Sequence, residues 1–164
     1  MGYVVPARHS DLVLGALHGG TKAAGVDSRV VESWKRCVEQ FHLDPEDAGE
    51  AQVIGRSALN ERREHCCHLV EMSKSEMTNL YQQVAGSGYS ILLTDNEGVV
   101  LNYVGDPLFT TAAASTGMQT GAIWTEQSQG TNGIGTCLVE KRPLVIHQRE
   151  HFFTKNTRLT CAAA

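Results

Sequence analysis

The sequence predicts an α+β fold, because the spacing of its apolar residues changes from the period of a helix to that of a strand. From Val30 to Phe41 and from Leu59 to Val84, apolar residues recur every three or four positions, as on one face of a helix. Two short apolar runs, 89–94 and 99–104, then flank Asp95-Asn-Glu-Gly98. Such runs around a glycine-containing turn are typical of a β-hairpin. Helices followed by strands that pair with their neighbours indicate the α+β class.

Composition and charge are those of one folded domain. A chain of 164 residues with 41% hydrophobic and 20% charged residues is long enough to bury a core. A net charge of −4 does not favour direct binding to nucleic acid. We find no run of about 18 apolar residues and no signal peptide, so we expect no membrane span and a cytoplasmic location.

Three helices are predicted before the strands. The first runs from Ser10 to about Leu17. The second follows the capping residues Asp27-Ser28 and ends at Leu43-Asp-Pro45, and the third runs from about Ser57 to Ala85. We therefore divide the chain into an N-terminal helical region, 1–56, and a second domain, 57–164.

The third helix predicts a homodimer. In a seven-residue register, six of eight residues at two neighbouring positions are apolar, which leaves surface for a second copy. These residues are Leu59, Cys66, Ser73 and Leu80 at one position, and Arg63, Val70, Met77 and Val84 at the other.

The run His65-Cys66-Cys67-His68 has the residue types of a metal site. Adjacent residues of a helix point about 100° apart, so one helix cannot supply four tetrahedral ligands from this run. The chain has five cysteines and no C-x-x-C pair, which fits reduced thiols better than a zinc ribbon or disulfides. We expect neither a metal nor a cofactor.

Glycines and small polar residues concentrate in Gly121–Thr136, which follows a predicted connecting helix or loop at 108–116. Thr131 and Asn132 are good N-cap residues for a helix that ends before Arg142-Pro143. The glycine spacing matches neither the dinucleotide pattern nor the P-loop pattern. We interpret these glycines as packing residues.

The C-terminal part is predicted to contain a strand, a loop and the start of a further strand. The strand is Leu144–His147, and the last residues, 159–164, have the pattern of a strand cut short, so we expect a truncated C-terminal edge. We expect the loop between them to be solvated, because it contains Lys155, Asn156 and Arg158.

Several motifs occur in an order that resembles a known family. They are Ser33-Trp34-x-Arg36-Cys37, Leu43-Asp-Pro45, Gly86-Ser-Gly-Tyr-Ser-Ile-Leu-Leu-Thr-Asp95, Gly117-Met-x-x-Gly-Ala-x-Trp124-x-Glu126, Gly130-Thr-Asn-Gly-Ile-Gly-Thr136, Arg142-Pro143, Glu150-His-Phe152 and Leu159-Thr-Cys-Ala-Ala163. Over roughly residues 28–164 the chain resembles the N-terminal sensory region of the acetoin-catabolism and dihydroxyacetone-regulator group. These are bacterial transcription activators that work with sigma-54 RNA polymerase. The resemblance implies a GAF-like fold: a central antiparallel sheet flanked by helices.

The resemblance also implies regions that these 164 residues do not contain. Proteins of the group continue with the last GAF strands and helix, often a PAS domain, an AAA+ ATPase domain and a Fis-type helix-turn-helix. The parent protein is therefore expected to bind DNA and sigma-54 RNA polymerase, with no direct nucleic-acid contact by this part. The run His65-Cys66-Cys67-His68 departs from the charged helix usual there, so its role stays open.

A GAF fold typically binds ligands between one sheet face and the covering loops and helix. Mapping that cleft onto this sequence selects seven candidates, with an apolar wall and polar groups that orient a hydroxyl or carbonyl. They are Tyr89, Trp124, Glu126, Gln129, Thr131, Asn132 and His147. Alternatively, Glu126 and Asn132 cap the helix that follows and satisfy loop N–H groups.

Three functions are compared. The first is a signal-sensing module that binds an unknown small metabolite or a partner protein and signals through its long helix. The second is a structural homodimerisation module without a ligand. The third is a thiol-based enzyme or redox sensor that pairs Cys137 or Cys161 with His147 or His151. Paired carboxylates at useful spacing are missing and buried thiols are inert, so we expect no enzyme and no catalytic residue.

Overall fold

A computed structural model describes residues 8–17, 25–105 and 117–164 and confirms the α+β class. The predicted connecting segment at 108–116 lies outside the described residues. The helices are α1 (His9–Leu17), α2 (Ser28–Lys35), a π-helix (Arg36–Gln40), α3 (Arg56–His65), α4 (Cys67–Val84), α5 (Glu126–Gln129) and α6 (Gly133–Glu140), with 3-10 turns at Gln148–Glu150 and Thr154–Asn156. The strands are β1 (Ser90–Thr94), β2 (Val100–Gly105), β3 (Leu144–His147) and β4 (Thr160–Ala163).

The chain divides into two compact units. One unit combines the residues up to Gly49 with Thr125–Ala164, and the other is Glu50–Trp124. The division into domains 1–56 and 57–164 stays a prediction. Among the described residues, no helix combines the length and apolar character that crossing a membrane requires.

In the unit Glu50–Trp124, β1 and β2 form the predicted antiparallel hairpin. Asp95 shapes the turn, because its Oδ1 accepts hydrogen bonds from the backbone N–H groups of Glu97 and Val99, both at 2.9 Å. Gly98 has the positive φ, 77°, that the sequence predicted for this turn. The hairpin is thus determined by local turn residues.

The first residues of the glycine-rich stretch extend this hairpin by isolated β-bridges. The Gly121 N–H donates to the Val100 carbonyl at 2.8 Å, and the Val100 N–H donates to the Ala122 carbonyl at 2.9 Å. On its other side the segment pairs with residues near Val53, where the Ile123 N–H donates to the Gln52 carbonyl at 2.9 Å.

The predicted long helix is two helices, α3 and α4, interrupted at Cys66 with φ −99° and ψ 23°. The Cys66 N–H still donates to the Arg62 carbonyl, so the interruption is confined to one residue. Part of the predicted dimer seam packs within the chain instead. Leu59 and Met77 are 8% and 4% exposed, whereas Leu80 is 50% exposed.

The other unit has its own apolar core, formed by α1, α2, the π-helix, β3 and the segment after it. The core residues are Val13, Ala16, Val30, Trp34, Cys37, Leu144, Ile146, Phe152 and Phe153. The Asp27 side chain caps α2 by accepting from the Arg29 N–H. The predicted helix continues as a π-helix, in which the Phe41 N–H donates to the Arg36 carbonyl at 3.1 Å.

The loop that begins at His151 is not the solvated segment that the sequence predicts. His151, Phe152, Phe153 and Asn156 are all buried, and the two phenylalanine rings pack edge to face at 5.3 Å. The prediction is wrong because the aromatic residues draw the turn into the core, while Lys155 stays exposed and covers the Phe153 ring at 5.8 Å.

Candidate functional site

Glu126 is the centre of a buried polar network. Its side chain is charged, yet only 2% of the residue's surface is exposed. It is the first residue of α5, whose N-cap Thr125 forms a capping box with Ser128. Arg36 donates to its carboxylate from Nε, at 2.7 Å to Oε2, and from Nη2, at 2.9 Å to Oε1. The Ser33 hydroxyl donates to Oε1 at 2.5 Å. A buried carboxylate is stable here because three charge-assisted bonds replace its water.

The network joins α2 and the π-helix to α5 and α6. Ser33 Oγ lies 2.7 Å from Thr131 Oγ1 and 3.3 Å from Thr136 Oγ1. Arg36 Nη2 also donates to Glu140 at 2.9 Å. Hydrogen bonding to Glu126 raises the pKa of Arg36, so its charge is permanent. The conformation of the glycine-rich loop is thereby coupled to that of α2 and the π-helix.

Asn132 caps α6, which confirms one half of the structural alternative. Its Oδ1 accepts from the Gly135 N–H at 2.8 Å, and its Nδ2 donates to the Gly130 carbonyl at 2.8 Å. Glu126 does not cap α6, because its carboxylate is bound to Arg36 and Ser33.

The glycines of the loop are packing residues, as predicted. Gly130 has φ 62°, and a Cβ added there would lie 2.6 Å from Phe152 Cβ. A Cβ on Gly133 would lie 2.5 Å from Cys161 Cβ. Both distances are shorter than carbon atoms tolerate, so only glycine allows these approaches.

The seven candidate residues are distributed over both units. Glu126, Thr131 and Asn132 belong to the polar network, and Gln129 is buried beside them on α5. His147 is exposed on β3, with Nδ1 2.9 Å from Thr160 Oγ1.

The other two candidates, Tyr89 and Trp124, belong to the unit Glu50–Trp124. Tyr89 is 54% exposed. Trp124 is buried next to the hairpin, where its backbone N–H donates to the Gly98 carbonyl at 2.8 Å. Ligand contact by any of the seven stays a prediction.

Sequence reasoning did not predict that the side chains of His9, Gln129, His151 and Asn156 contain buried polar atoms without a partner. In the part of the chain that the structure describes, both amide atoms of Gln129 and of Asn156 are buried without a hydrogen-bond partner. The same is true of His9 Nδ1 and His151 Nε2. The other nitrogen of each ring faces a carbonyl, so that nitrogen carries the proton. His9 lies 142 residues from the carbonyl of His151 that it contacts, and no local pattern signals such a pair.

Burial of His151 makes the stability of the chain depend on pH. Burial lowers the pKa of His151 to about 4 and also lowers the pKa of His9. Below pH about 6.5 the unfolded chain binds protons that the folded chain does not, so stability falls until about pH 4. We expect the free energy of unfolding, measured with urea, to decrease by up to about 3 kcal/mol over this range.

The exposed His68 of α4 provides the control for this prediction, because it is not among the groups that shift the pKa of His151. His68→Gln should keep the pH dependence, whereas His151→Gln should reduce it. Asp27, whose pKa is lowered to about 2 mainly by its side-chain hydrogen bond from Arg29, affects the pH dependence only below about pH 4, where protonation removes its stabilising contribution. Equal stability at pH 7 and pH 5 would contradict the prediction.

An open groove of about 950 Å³ lies along β3 and contains one of the seven candidates, His147. Val26, Val145 and Ala162 supply apolar surface, and Arg29 and Glu150 supply charge. Arg29 is bound to Asp27 at 2.6 Å, outside the Glu126 network. The groove and the network are thus two separate places in this unit.

The thiols have the properties of structural residues. Burial raises the pKa of Cys37 to about 12 and raises the pKa values of Cys137 and Cys161. Protonated thiols are poor nucleophiles, which does not favour a thiol enzyme. Across 8–17, 25–105 and 117–164, no three His, Cys, Asp or Glu side chains are grouped in a way that suits a metal ion.

The fold is shared with a solved structure from E. coli. The crystal structure of the E. coli DhaR(N)-DhaL complex matches with a TM-score of 0.74, covering 79% of this chain and 43% of that chain at 14% identity. The chain belongs to the family of MimR N-terminal domains, whose model matches residues 5–164. This confirms the resemblance to the sensory regions of such regulators.

Three curated relatives are named as regulators or transcriptional activators. The acetoin catabolism regulatory protein of Cupriavidus necator is 38% identical over 138 residues, 84% of this chain and 21% of that protein. The activator AcoR of the Bacillus subtilis acetoin dehydrogenase operon is 29% identical over 86% of this chain and 23% of its own length. The propane 2-monooxygenase operon activator MimR of Mycolicibacterium smegmatis is 29% identical over 96% of this chain and 25% of its own length. The chain therefore spans about a fifth to a quarter of these relatives.

Proposed function

We propose that the chain is the GAF-type, signal-sensing domain of a cytoplasmic, sigma-54-dependent transcriptional activator. The observation that carries this proposal is the family match over residues 5–164, together with relatives that are named as operon activators. In the parent protein, other regions supply ATP hydrolysis and contact with the promoter.

The sensed signal is a small metabolite or a partner protein. A partner protein is supported by the DhaR(N) structure, which is that of a complex with DhaL. A metabolite is supported by the acetoin operons named for two relatives. Either signal has to bind two arrangements of the domain with different affinity, because equal affinity shifts nothing. The Arg36–Glu126 contact supplies a coupling path, since it joins the π-helix after α2 to the candidate residues of the loop.

A structural homodimerisation domain without a ligand is the second candidate. It is favoured by the exposed apolar residues of α4, Leu69, Met72 and Leu80. A thiol-based enzyme has no comparable support.

The two tryptophans allow a direct test of metabolite binding. Trp34 and Trp124 are both buried, one in each unit. The variant Trp34→Phe leaves Trp124 as the only tryptophan, and Trp124→Phe leaves Trp34. We expect titration with acetoin, propane-1,2-diol or acetaldehyde to change the Trp124 emission in a saturable way, because a bound ligand alters the packing and the polarity around the buried ring.

Circular dichroism establishes that each variant is folded. A folded protein whose emission responds to none of the three compounds would leave the partner protein as the signal. The whole proposal is tested in the full-length activator. If deletion of these 164 residues left inducer-dependent transcription unchanged, the sensory role would be contradicted.

A further inference from the structure

Two adjacent cysteines lie at the junction between α3 and α4. Cys67 is exposed, Cys66 is half-buried, and both thiols are free. Helix α3 ends at His65 and α4 begins at Cys67, so Cys66 belongs to neither helix. No candidate function assigns a role to these two residues. We call Cys66 and Cys67 the junction pair.

The other three cysteines have different surroundings. Cys37 is fully buried in the apolar core. Cys161 packs against Gly133, and the thiol of Cys137 donates to the Arg142 carbonyl at 3.4 Å. None of the three is next to another cysteine in the sequence. A reagent that needs two neighbouring, accessible thiols therefore finds them at the junction pair.

The geometry of the chain disfavours a disulfide within the junction pair. Consecutive Cα atoms lie about 3.8 Å apart, whereas unstrained disulfides join Cα atoms that are about 4.4–6.8 Å apart. A direct bond between the two sulfurs would be strained and easily reduced. In a reducing compartment the pair therefore persists as two thiols.

A single bridging atom removes this restriction. A soft atom that bonds each sulfur at about 2.3 Å, as zinc does, lets the sulfurs lie up to about 4.6 Å apart. Rotation about the two χ1 angles brings neighbouring sulfurs within that distance. Zinc itself takes four ligands, and across the described residues no group of three His, Cys, Asp or Glu side chains suits a metal ion. Trivalent arsenic that carries one organic group needs only two thiolates, which is the number available here.

We propose that the junction pair is a binding site for trivalent arsenicals, in which one arsenic atom bridges Cys66 Sγ and Cys67 Sγ. A monosubstituted arsenical carries two hydroxyl groups in water. Two As–S bonds form as two As–O bonds break, and each thiol proton leaves with a hydroxyl group as water. Arsenic stays trivalent, so the reaction needs neither an oxidant nor a reductant. The second thiol reacts within the chain at a high effective concentration, which lets the pair compete with free monothiols.

The bridge has a structural consequence at the junction. It closes a ring that includes the peptide bond between Cys66 and Cys67, so it restricts ψ of Cys66, which is 23° in the free chain. Helix α3 is bound to the hairpin through Arg62, whose Nη1 donates to Asp95 at 2.7 Å. A bound arsenical therefore fixes the direction in which α4 leaves α3.

Mass spectrometry of the intact, folded 164-residue chain with phenylarsine oxide tests the proposal. We expect one equivalent to bind per chain. Cys66→Ser and Cys67→Ser should each weaken binding at least about 100-fold, because each leaves one thiol and no chelate. Cys137→Ser is the matched control and should leave binding unchanged. Dithiothreitol, a dithiol, should remove the bound arsenical, whereas glutathione at the same thiol concentration should not.

Circular dichroism establishes that each variant is folded. A wild-type chain that binds no phenylarsine oxide would overturn the proposal, as would a Cys66→Ser/Cys67→Ser variant that binds it normally. The double variant His65→Gln/His68→Gln should bind as tightly as the wild type. An equal loss of binding in that variant would indicate a site of four residues and would contradict the two-thiol bridge. The assay needs neither a promoter nor an inducer, so this proposal and the sensory function can fail separately.

Discussion

Replacing Arg36 by methionine is expected to destabilise the chain by about 3 kcal/mol, the lower end for breaking a buried ion pair. The substitution keeps most of the side-chain volume but leaves the Glu126 carboxylate, 1% exposed, with Ser33 as its remaining donor. An unpaired buried charge costs several kcal/mol because it has lost its water. Urea unfolding at pH 7, followed by circular dichroism, gives the free energy.

A double-mutant cycle separates the ion pair from loss of packing. Arg36→Met/Glu126→Gln should be more stable than Arg36→Met alone, because neither charge then remains buried without its partner. Lys74→Met is the matched control, since it removes the exposed pair with Glu71 and should change stability by no more than about 0.5 kcal/mol. An Arg36→Met variant as stable as Lys74→Met would show that Glu126 does not depend on Arg36.

Gly130→Ala is expected to have an effect at least as large, about 3 kcal/mol or more. Gly130 has φ 62° and ψ −162°, a region that is open almost only to glycine and costs other residues about 1–3 kcal/mol. In addition, the new Cβ would lie 2.6 Å from Phe152 Cβ, in a core that cannot yield without moving the aromatic ring. We expect a melting temperature lower by more than about 10 °C.

Gly49→Ala is the control in the same unit. A Cβ there meets nothing within 4 Å, so the change should be neutral or stabilise by about 0.5 kcal/mol through the unfolded chain. The prediction for Gly130 fails if the two alanine variants melt at the same temperature.

The parts of the fold that the sequence predicts are those determined by neighbouring residues. The hairpin follows from alternating apolar residues and a glycine at 98, and α6 follows from Asn132 and the helical spacing after it. The interruption at Cys66, the π-helix and the short α5 were missed. They depend on the local backbone course, which apolar spacing does not reveal. The buried loop after His151 was missed because its polar residues outnumber the two phenylalanines that decide its position.

The positions of the candidate residues follow only in part from local signals, and their role in binding stays a prediction. Asn132 and Trp124 occupy positions that local signals indicate, a helix cap and a segment beside the hairpin. The contact between Arg36 and Glu126 joins residues 90 positions apart, and no periodic pattern connects them. The sequence indicates only that an acidic residue in an apolar, glycine-rich stretch needs a basic partner, and it does not indicate which residue that partner is.

The discontinuous unit has a consequence for how the protein is made. Ser33 meets Glu126 only after 93 further residues have been added. At a synthesis rate of about 5–20 residues per second, the side chains of Trp34 and Cys37 stay exposed to water for roughly 5–20 s before their partners are synthesised. The intervening Glu50–Trp124 segment is complete earlier and can fold first. The nascent chain thus passes through an interval in which its earliest helices are open to chaperones or to aggregation.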